Sequence, residues 1–126
     1  MNTLAWVLQI VLAVLFLLHG LLFTVAYGAV AKRVEARGRP PSSLPPALRQ
    51  FIGVAELAAA FGLTVPPAVH VFSWLAPLAA AGLVLVMVGA VIYHARKSEF
   101  PALAGTVVLG ALAAVTLFLR WQVVPL

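Results

Sequence analysis

The sequence predicts an all-α protein, a bundle of four transmembrane helices with both termini on the external side of the membrane. Hydrophobic residues make up 64% of the 126 residues and charged residues only 9%, whereas soluble domains have about 45–50% and about 25%. The chain contains four mostly apolar stretches, each near the roughly 20 residues that cross a bilayer as a helix. Little chain is left over, so we expect residues 1–126 to form a single integral membrane domain.

The first span is predicted at residues 4–31, with Gln9 and His19 as its strongly polar side chains. A cleaved signal peptide is the competing interpretation, because residues 29–31 (AVA) resemble a small-residue cleavage site. However, residues 1–6 carry no basic side chain, and the apolar run is much longer than a signal core of about 7–15 residues. These features favour a retained helix.

Proline and serine residues set the limits of the other spans. Residues 32–44 are polar and contain Pro40-Pro41, which predicts a loop. Ser43 suits a helix N-cap, and Pro45 or Pro46 suits the first turn, so the second span is expected at 45–65, ending before Pro66-Pro67. The third and fourth spans are expected at residues 73–95 and 101–124, with Ser98 as a cap for the fourth.

The positions of the basic residues predict the orientation of the chain, because Lys and Arg in short loops stay in the cytoplasm. Arg120 alone lies toward the opposite side. The other seven basic residues flank the first-to-second and third-to-fourth connections: Lys32, Arg33, Arg37, Arg39, Arg49, Arg96 and Lys97. Both termini should therefore be external, and the expected location is the bacterial inner membrane. The net charge of +5 is then mainly an orientation signal, and no nucleic-acid partner is expected.

Small residues at helical spacing predict how the spans pack, since close backbone approach drives helix association in lipid. Three ridges have this spacing: Gly20-Thr24-Gly28, Ala58-Gly62 and Thr106-Gly110-Ala114. We expect them to pack against helices of the same chain. Formation of a homo-oligomer through one ridge is the alternative.

Glu56 is the one carboxylate inside an apolar stretch, because Glu35 and Glu99 lie among basic residues. A carboxylate within a bilayer costs several kcal/mol unless it is protonated, paired or facing a cavity. On a helix Glu56 shares a stripe with Arg49 and Gly53. We expect this stripe to face the bundle interior, with Glu56 about 10 Å below the cytoplasmic boundary at the helical rise.

Two histidines are candidate partners or ligand-binding groups. His94 ends the third span on the same side as Glu56, on a stripe with Met87 and Ala90. It is expected either to donate a hydrogen bond to Glu56 or to cap helix carbonyls. His19 lies deeper, about 18 Å from the end of the first span, on a face that includes Tyr27. It is either a core histidine bonded to a carbonyl or a functional group.

Several kinds of chemistry are disfavoured. The sequence has no Cys, so thiol redox relays and thiolate metal sites are excluded. It also has no Asp, and no Ser-His-Asp set or carboxylate pair is present. A metal site is not expected, because His19, Glu56 and His94 differ in predicted depth. The protein is therefore not expected to be an enzyme on its own; its cofactor is unknown, with a quinone as the candidate.

Residues 51–57 (FIGVAEL), followed by 61–63 (FGL) and Pro66, resemble the second-span signature of DoxX-like membrane proteins. Residues 80–83 (AAGL), 87–90 (MVGA) and His94 resemble their third span. The resemblance covers residues 49–99. The family pattern is carried by Gly53, Glu56, Met87, Ala90 and His94, whereas His19 and Tyr27 match no motif.

This resemblance implies a four-helix membrane bundle. The group includes a subunit of a thiosulfate:quinone oxidoreductase, partners of membrane-linked oxidative-stress enzymes, and animal proteins that assist assembly of nicotinic receptors. Because its members do different things, the resemblance supports the fold more than any activity.

The leading functional hypothesis is a small non-catalytic membrane subunit with an inward-facing pocket around Glu56. The pocket would bind a lipid-like or quinone-like molecule, or support a membrane oxidoreductase partner. Its expected polar and lining residues are Glu56, His94, Arg49, Met87, Gly53, Ala90, His19 and Tyr27. The alternatives are an assembly factor or chaperone that binds a client membrane protein through a helix face, and a proton-coupled exporter. A structural lock formed by Glu56 is the simplest alternative to all three.

Overall fold

The computed structural model describes residues 1–38 and 45–126, and every regular element in these ranges is helical. Four helices are long and apolar enough to cross a membrane: span 1 (Asn2–Ala36), span 2 (Pro46–Ala68), span 3 (Leu75–Arg96) and span 4 (Phe100–Val123). The predicted all-α four-helix architecture is therefore confirmed. Ser43, the predicted cap, lies outside the described residues, as do the other residues of the predicted loop between 39 and 44.

Three helix ends differ from the predicted positions. Span 1 continues beyond residue 31 to Ala36, because its polar last turns contain good helix formers and no proline. Span 2 does not end before Pro66-Pro67 but includes both, buried, in its final turns. Span 4 has Glu99 rather than Ser98 at its N-cap. Ser98 instead has a φ of 55°, in the left-handed region that reverses the chain between spans 3 and 4.

Pro67 is tolerated in span 2 because another helix supplies the hydrogen bond that proline cannot. A proline has no backbone N–H, so the carbonyl four residues earlier loses its partner in the helix. For Pro67 this is the carbonyl of Leu63. The Nε2 of Gln9, a fully buried residue of span 1, donates to that carbonyl at 2.5 Å. The missing helix bond is thus replaced by a bond between spans.

Arg120 extends this contact to span 4, although only 2% of its surface is exposed. Its Nε donates to Oε1 of Gln9. Its Nη1 donates to Oδ1 of Asn2 at 2.8 Å and to the carbonyl of Val124 at 3.1 Å. The guanidinium also lies 5.4 Å from the centre of the Trp6 ring, within cation–π range. These side chains, here called the Arg120 network, tie spans 1, 2 and 4 together near the chain termini.

Glycines bring spans 1 and 2 into backbone contact. A Cβ atom added to Gly53 would lie 2.6 Å from Cγ2 of Thr24 and 3.1 Å from the carbonyl oxygen of Gly20. A Cβ atom added to Gly62 would lie 3.2 Å from the Cβ of Ala79, and one added to Gly110 would lie 3.2 Å from the Cβ of Met87. These small residues therefore pack inside one chain, as predicted, and they hold the spans at short separations.

We expect Gly53→Ala to lower the free energy of unfolding by about 1–3 kcal/mol, because the added methyl group would overpack the contact between spans 1 and 2. Gly82→Ala is the matched control, since a Cβ atom there meets nothing within 4 Å. Unfolding in mixed micelles with increasing SDS measures both variants. Equal stability of the two would contradict the close contact.

Span 1 contains a π-helical segment, Leu22–Ala26, where the regular hydrogen-bond ladder is interrupted. Side chains of span 2 bind to main-chain oxygens of this segment. Arg49 Nη1 donates to the carbonyl of Phe23, and Gln50 Nε2 donates to the carbonyl of Thr24 at 3.2 Å. The Arg49 guanidinium also lies 4.0 Å above the ring of Tyr27. The start of span 2 is therefore fixed to the π-helical segment.

Candidate functional site

Glu56 is fully buried, and its partner is His19. The His19 Nδ1 atom lies 2.6 Å from Oε2 of Glu56. The two side chains differ in exposure, with 44% of the His19 side chain accessible and 1% of the Glu56 side chain. The carboxylate therefore lies behind the imidazole, and His19 is the more accessible member of the pair.

The glycine contact between spans 1 and 2 positions this pair. His19 precedes Gly20 in sequence, and Glu56 lies one helical turn after Gly53. Since Gly20 and Gly53 touch, the two side chains are brought to the same level. The ring of Phe23 packs against the imidazole at a centroid distance of 4.3 Å. This contact restricts the orientation of His19.

The distance between His19 and Glu56 indicates a strong hydrogen bond. A separation of 2.6 Å lies at the short end of the range for charge-assisted bonds between nitrogen and oxygen. In an apolar environment an uncompensated charge is costly, so a pair with no net charge is favoured. Both the ion pair and the neutral pair meet this condition, with the shared proton between Nδ1 and Oε2. The other carboxyl oxygen of Glu56, Oε1, has no hydrogen-bond partner among the described residues.

A cavity of about 1170 Å³ lies beside the pair and is bounded by all four spans. This volume slightly exceeds the usual range for small-molecule sites, about 300–1,000 Å³. His19 and Glu56 form part of its wall. Most of the other lining side chains are apolar or aromatic, including Phe16, Phe23, Ile52, Leu85, Met87 and Leu109. The arrangement is typical of a site for a hydrophobic molecule with a polar group.

Polar residues cluster at the end of the cavity nearest the loop between spans 3 and 4. There Nδ1 of His94 lies 3.4 Å from Oε1 of Glu99, and both side chains are partly exposed. Lys97 lies 5.4 Å from the centre of the Tyr93 ring, and all four residues line the cavity. The cavity therefore has polar groups at two levels, this outer cluster and the buried pair of His19 and Glu56.

The structure brings together five of the eight predicted site residues at the cavity wall: Glu56, His94, Met87, Ala90 and His19. Gly53 instead forms the contact between spans, and Arg49 binds the Phe23 carbonyl above Tyr27. Of the two alternatives for His94, the hydrogen bond to Glu56 is not formed among the described residues. His94 lies near Glu99, and His19 is the hydrogen-bond partner of Glu56.

The pairing of His19 with Glu56 was not predicted, because the depth of each residue in the membrane was estimated from the predicted end of its own helix. These estimates placed the two residues about 8 Å apart in depth, on the assumption that span 1 and span 2 end at the same level. Arg49, at the start of span 2, stacks on Tyr27, well before the end of span 1. Span 1 therefore projects past span 2, and the two residues are level.

Several cavity residues were not predicted. Phe23 shares the helical face of His19, and this spacing was a usable signal. Tyr93, Lys97 and Glu99 had no such signal, because their positions near the cavity depend on how spans 3 and 4 pack. Thr106 lines the cavity, but it was expected only as part of a packing ridge.

Comparisons with known proteins agree with this architecture. The model of the DoxX-like family matches residues 7–116, a range that includes most of the four spans and all the cavity-lining residues. No curated protein and no solved structure matches the chain. The extent of the family match, together with the four apolar helices, shows that this integral membrane protein belongs to the DoxX-like family.

Proposed function

We propose that the protein is a small, non-catalytic membrane subunit that holds a lipid-like or quinone-like molecule in the cavity and thereby supports a membrane oxidoreductase partner. The observation that carries the proposal is a large, mostly apolar cavity with the pair of His19 and Glu56 in its wall. Such a cavity binds an apolar body and orients it through a few polar contacts. The expected orientation, with both termini external, and the expected location in a bacterial inner membrane belong to this proposal.

The dimensions of the cavity favour an elongated ligand. Its lining runs along span 3 from Leu85 to Lys97, a distance of about 18 Å at the helical rise. The end near Lys97 is polar, and the end near Leu85 is apolar. An elongated amphipathic molecule whose polar group faces the polar lining residues and whose apolar chain lies toward Leu85 fits this gradient.

A supporting role is proposed because the chain supplies few reactive groups of its own. It contains no Cys and no Asp. His19 and Glu56 are hydrogen-bonded to each other. In this proposal, electrons are carried by the bound molecule and by the partner enzyme, while this chain provides the site.

The proposal predicts that purified protein retains a hydrophobic molecule, which solvent extraction and mass spectrometry will identify. Ala90→Trp should fill the cavity and lower the bound amount at least about tenfold, since a steric clash in a pocket typically removes binding of this order. Val88→Trp is the matched control, because Val88 is exposed on the outer face of span 3. Wild-type protein that carries no more extracted molecule than Ala90→Trp would contradict the proposal.

Assembly of other membrane proteins is the second function considered, through an exposed helix face such as the ridge Thr106-Gly110-Ala114. Two of these residues are used inside the bundle. Gly110 faces Met87, and the Thr106 hydroxyl donates to the carbonyl of Ala102 at 2.8 Å. Only Ala114 is exposed. The ridge therefore supports the fold of this chain, and the cavity remains the better-supported basis for function.

A further inference from the structure

The free oxygen of Glu56 determines which kind of polar group the cavity can accept. Glu56 is fully buried, its Oε2 is bonded to His19, and its Oε1 has no partner among the described residues. Buried polar atoms in proteins are nearly always hydrogen-bonded. A buried carboxyl oxygen without a donor therefore indicates a hydrogen bond from a group outside the described residues. Because Glu56 forms part of the cavity wall, a molecule in the cavity is the natural source.

The position of the shared proton makes Oε1 a hydrogen-bond acceptor. In the ion pair the proton is on Nδ1 of His19, and in the neutral pair in which Oε2 is the donor it is on Oε2 of Glu56. Both forms leave Oε1 with lone pairs and no hydrogen. The matching group on a ligand is therefore a donor, such as a hydroxyl, whereas a carbonyl or ether oxygen offers only lone pairs.

The donors of nearby side chains are already bonded to main-chain oxygens. The Arg49 guanidinium donates to the carbonyl of Phe23, and the Thr24 hydroxyl donates to the carbonyl of Gly20 at 2.8 Å. The Thr106 hydroxyl, which lines the same cavity, donates to Ala102. These bonds turn the donors away from Glu56. Glu56 itself lines the cavity, so a donor held there can approach its carboxyl group.

We propose that the cavity selects an apolar molecule that bears a hydroxyl group, and that this hydroxyl donates its hydrogen bond to Oε1 of Glu56. The inference rests on the proposed function, because it names the chemical class of the molecule held in that cavity. A long-chain alcohol and a quinol share this chemistry. A quinone and an ether lack it.

The test compares two pairs of probes on wild-type protein in phosphatidylcholine nanodiscs. One pair is 1-dodecanol with dodecyl methyl ether, and the other is decylubiquinol, kept reduced under argon, with decylubiquinone. Titration calorimetry should show binding about tenfold tighter for the hydroxyl member of a pair, the usual effect of one hydrogen bond to a charged group. A preference in both pairs indicates any hydroxyl, and a preference in one pair identifies the source as an alcohol or a quinol.

Two other outcomes separate this inference from the proposed function. If both members of each pair bind equally, the selection of a hydroxyl is wrong and the cavity still binds hydrophobic molecules. If none of the four probes binds, the proposed function itself fails.

Variants and infrared spectroscopy test whether Glu56 is the group that accepts the hydrogen bond from the ligand hydroxyl. Glu56→Met keeps a similar side-chain volume but removes the hydrogen-bond acceptor. In this variant the two members of each probe pair should therefore bind with about equal affinity. A preference for the hydroxyl member that persists in Glu56→Met would overturn the assignment to Glu56. Glu35→Gln, which changes an exposed glutamate outside the cavity, should keep the preference. Should Glu56→Met fail to fold, infrared difference spectra of the wild type decide the matter. The carboxyl band should shift on binding 1-dodecanol and not on binding its ether, and an unshifted band with bound dodecanol would overturn the inference.

Discussion

Replacing His19 by Leu is expected to lower the free energy of unfolding by about 3 kcal/mol, because the buried carboxyl group of Glu56 would lose its partner, while the partial exposure of His19 reduces the effect. Glu56 would remain fully buried, and both of its oxygens would then lack donors among the described residues. Reversible unfolding in mixed micelles, followed by circular dichroism as SDS is raised, measures the change.

Two control variants show whether the pairing itself causes the loss. The double variant His19→Leu/Glu56→Met removes both polar groups and should be much closer to the wild type than His19→Leu, since apolar replacement of a whole buried pair is often neutral. His94→Leu disrupts the other, more exposed His–carboxylate pair and should change stability by about 0–1 kcal/mol. A loss in His94→Leu as large as that in His19→Leu would show that burial of the pair is not the cause.

Replacing Gln9 by Leu is expected to destabilise the bundle by about 3–5 kcal/mol in sum, because two buried groups lose their partners. The carbonyl of Leu63 would lose the hydrogen bond that replaces the one Pro67 cannot make. The Nε of Arg120 would lose its acceptor, and one nitrogen of that guanidinium, Nη2, already has no partner among the described residues. Unfolding under the same conditions as for His19→Leu measures the effect.

Gln50→Leu is the matched control for this variant. Gln50 also donates from its side-chain amide to a carbonyl of another span, that of Thr24 at 3.2 Å, but Gln50 is exposed. Water or lipid headgroups can replace an exposed hydrogen bond, so the expected loss is below about 1 kcal/mol. Similar losses in the two glutamine variants would contradict the role assigned to the Arg120 network.

The architecture could be predicted from the sequence because it follows from local properties. Apolar composition and span length required four helices, and the small residues indicated close packing, which the contact between Gly20 and Gly53 confirms. Helix ends were less predictable. Local sequence rules predict that span 2 ends before Pro66 and Pro67. They could not show that Gln9, which is distant in sequence, donates the hydrogen bond that the backbone of Pro67 cannot.

The candidate site could be predicted only in part, for a physical reason. Periodicity placed Glu56 on an inward stripe, and its burial agrees with that placement. Its partner depended on the relative heights of spans 1 and 2, which periodicity does not contain. Gln9 and Arg120 were both visible as polar residues in apolar helices. Their contact with each other depended on how span 1 packs against span 4.

Because of the π-helical segment at Leu22–Ala26, the fit of span 1 against span 2 depends on the number of residues in span 1 as well as on their hydropathy. A chain with one residue fewer in this segment would be equally apolar and would enter a bilayer as readily. The shorter segment, however, would close as an ordinary α-helical turn, whose hydrogen bonds span four residues rather than five. In such a turn the carbonyls of Phe23 and Thr24, which accept hydrogen bonds from Arg49 and Gln50 of span 2, are bonded to main-chain N–H groups of their own helix. The attachment of span 2 to span 1 therefore depends on one residue that hydropathy does not distinguish.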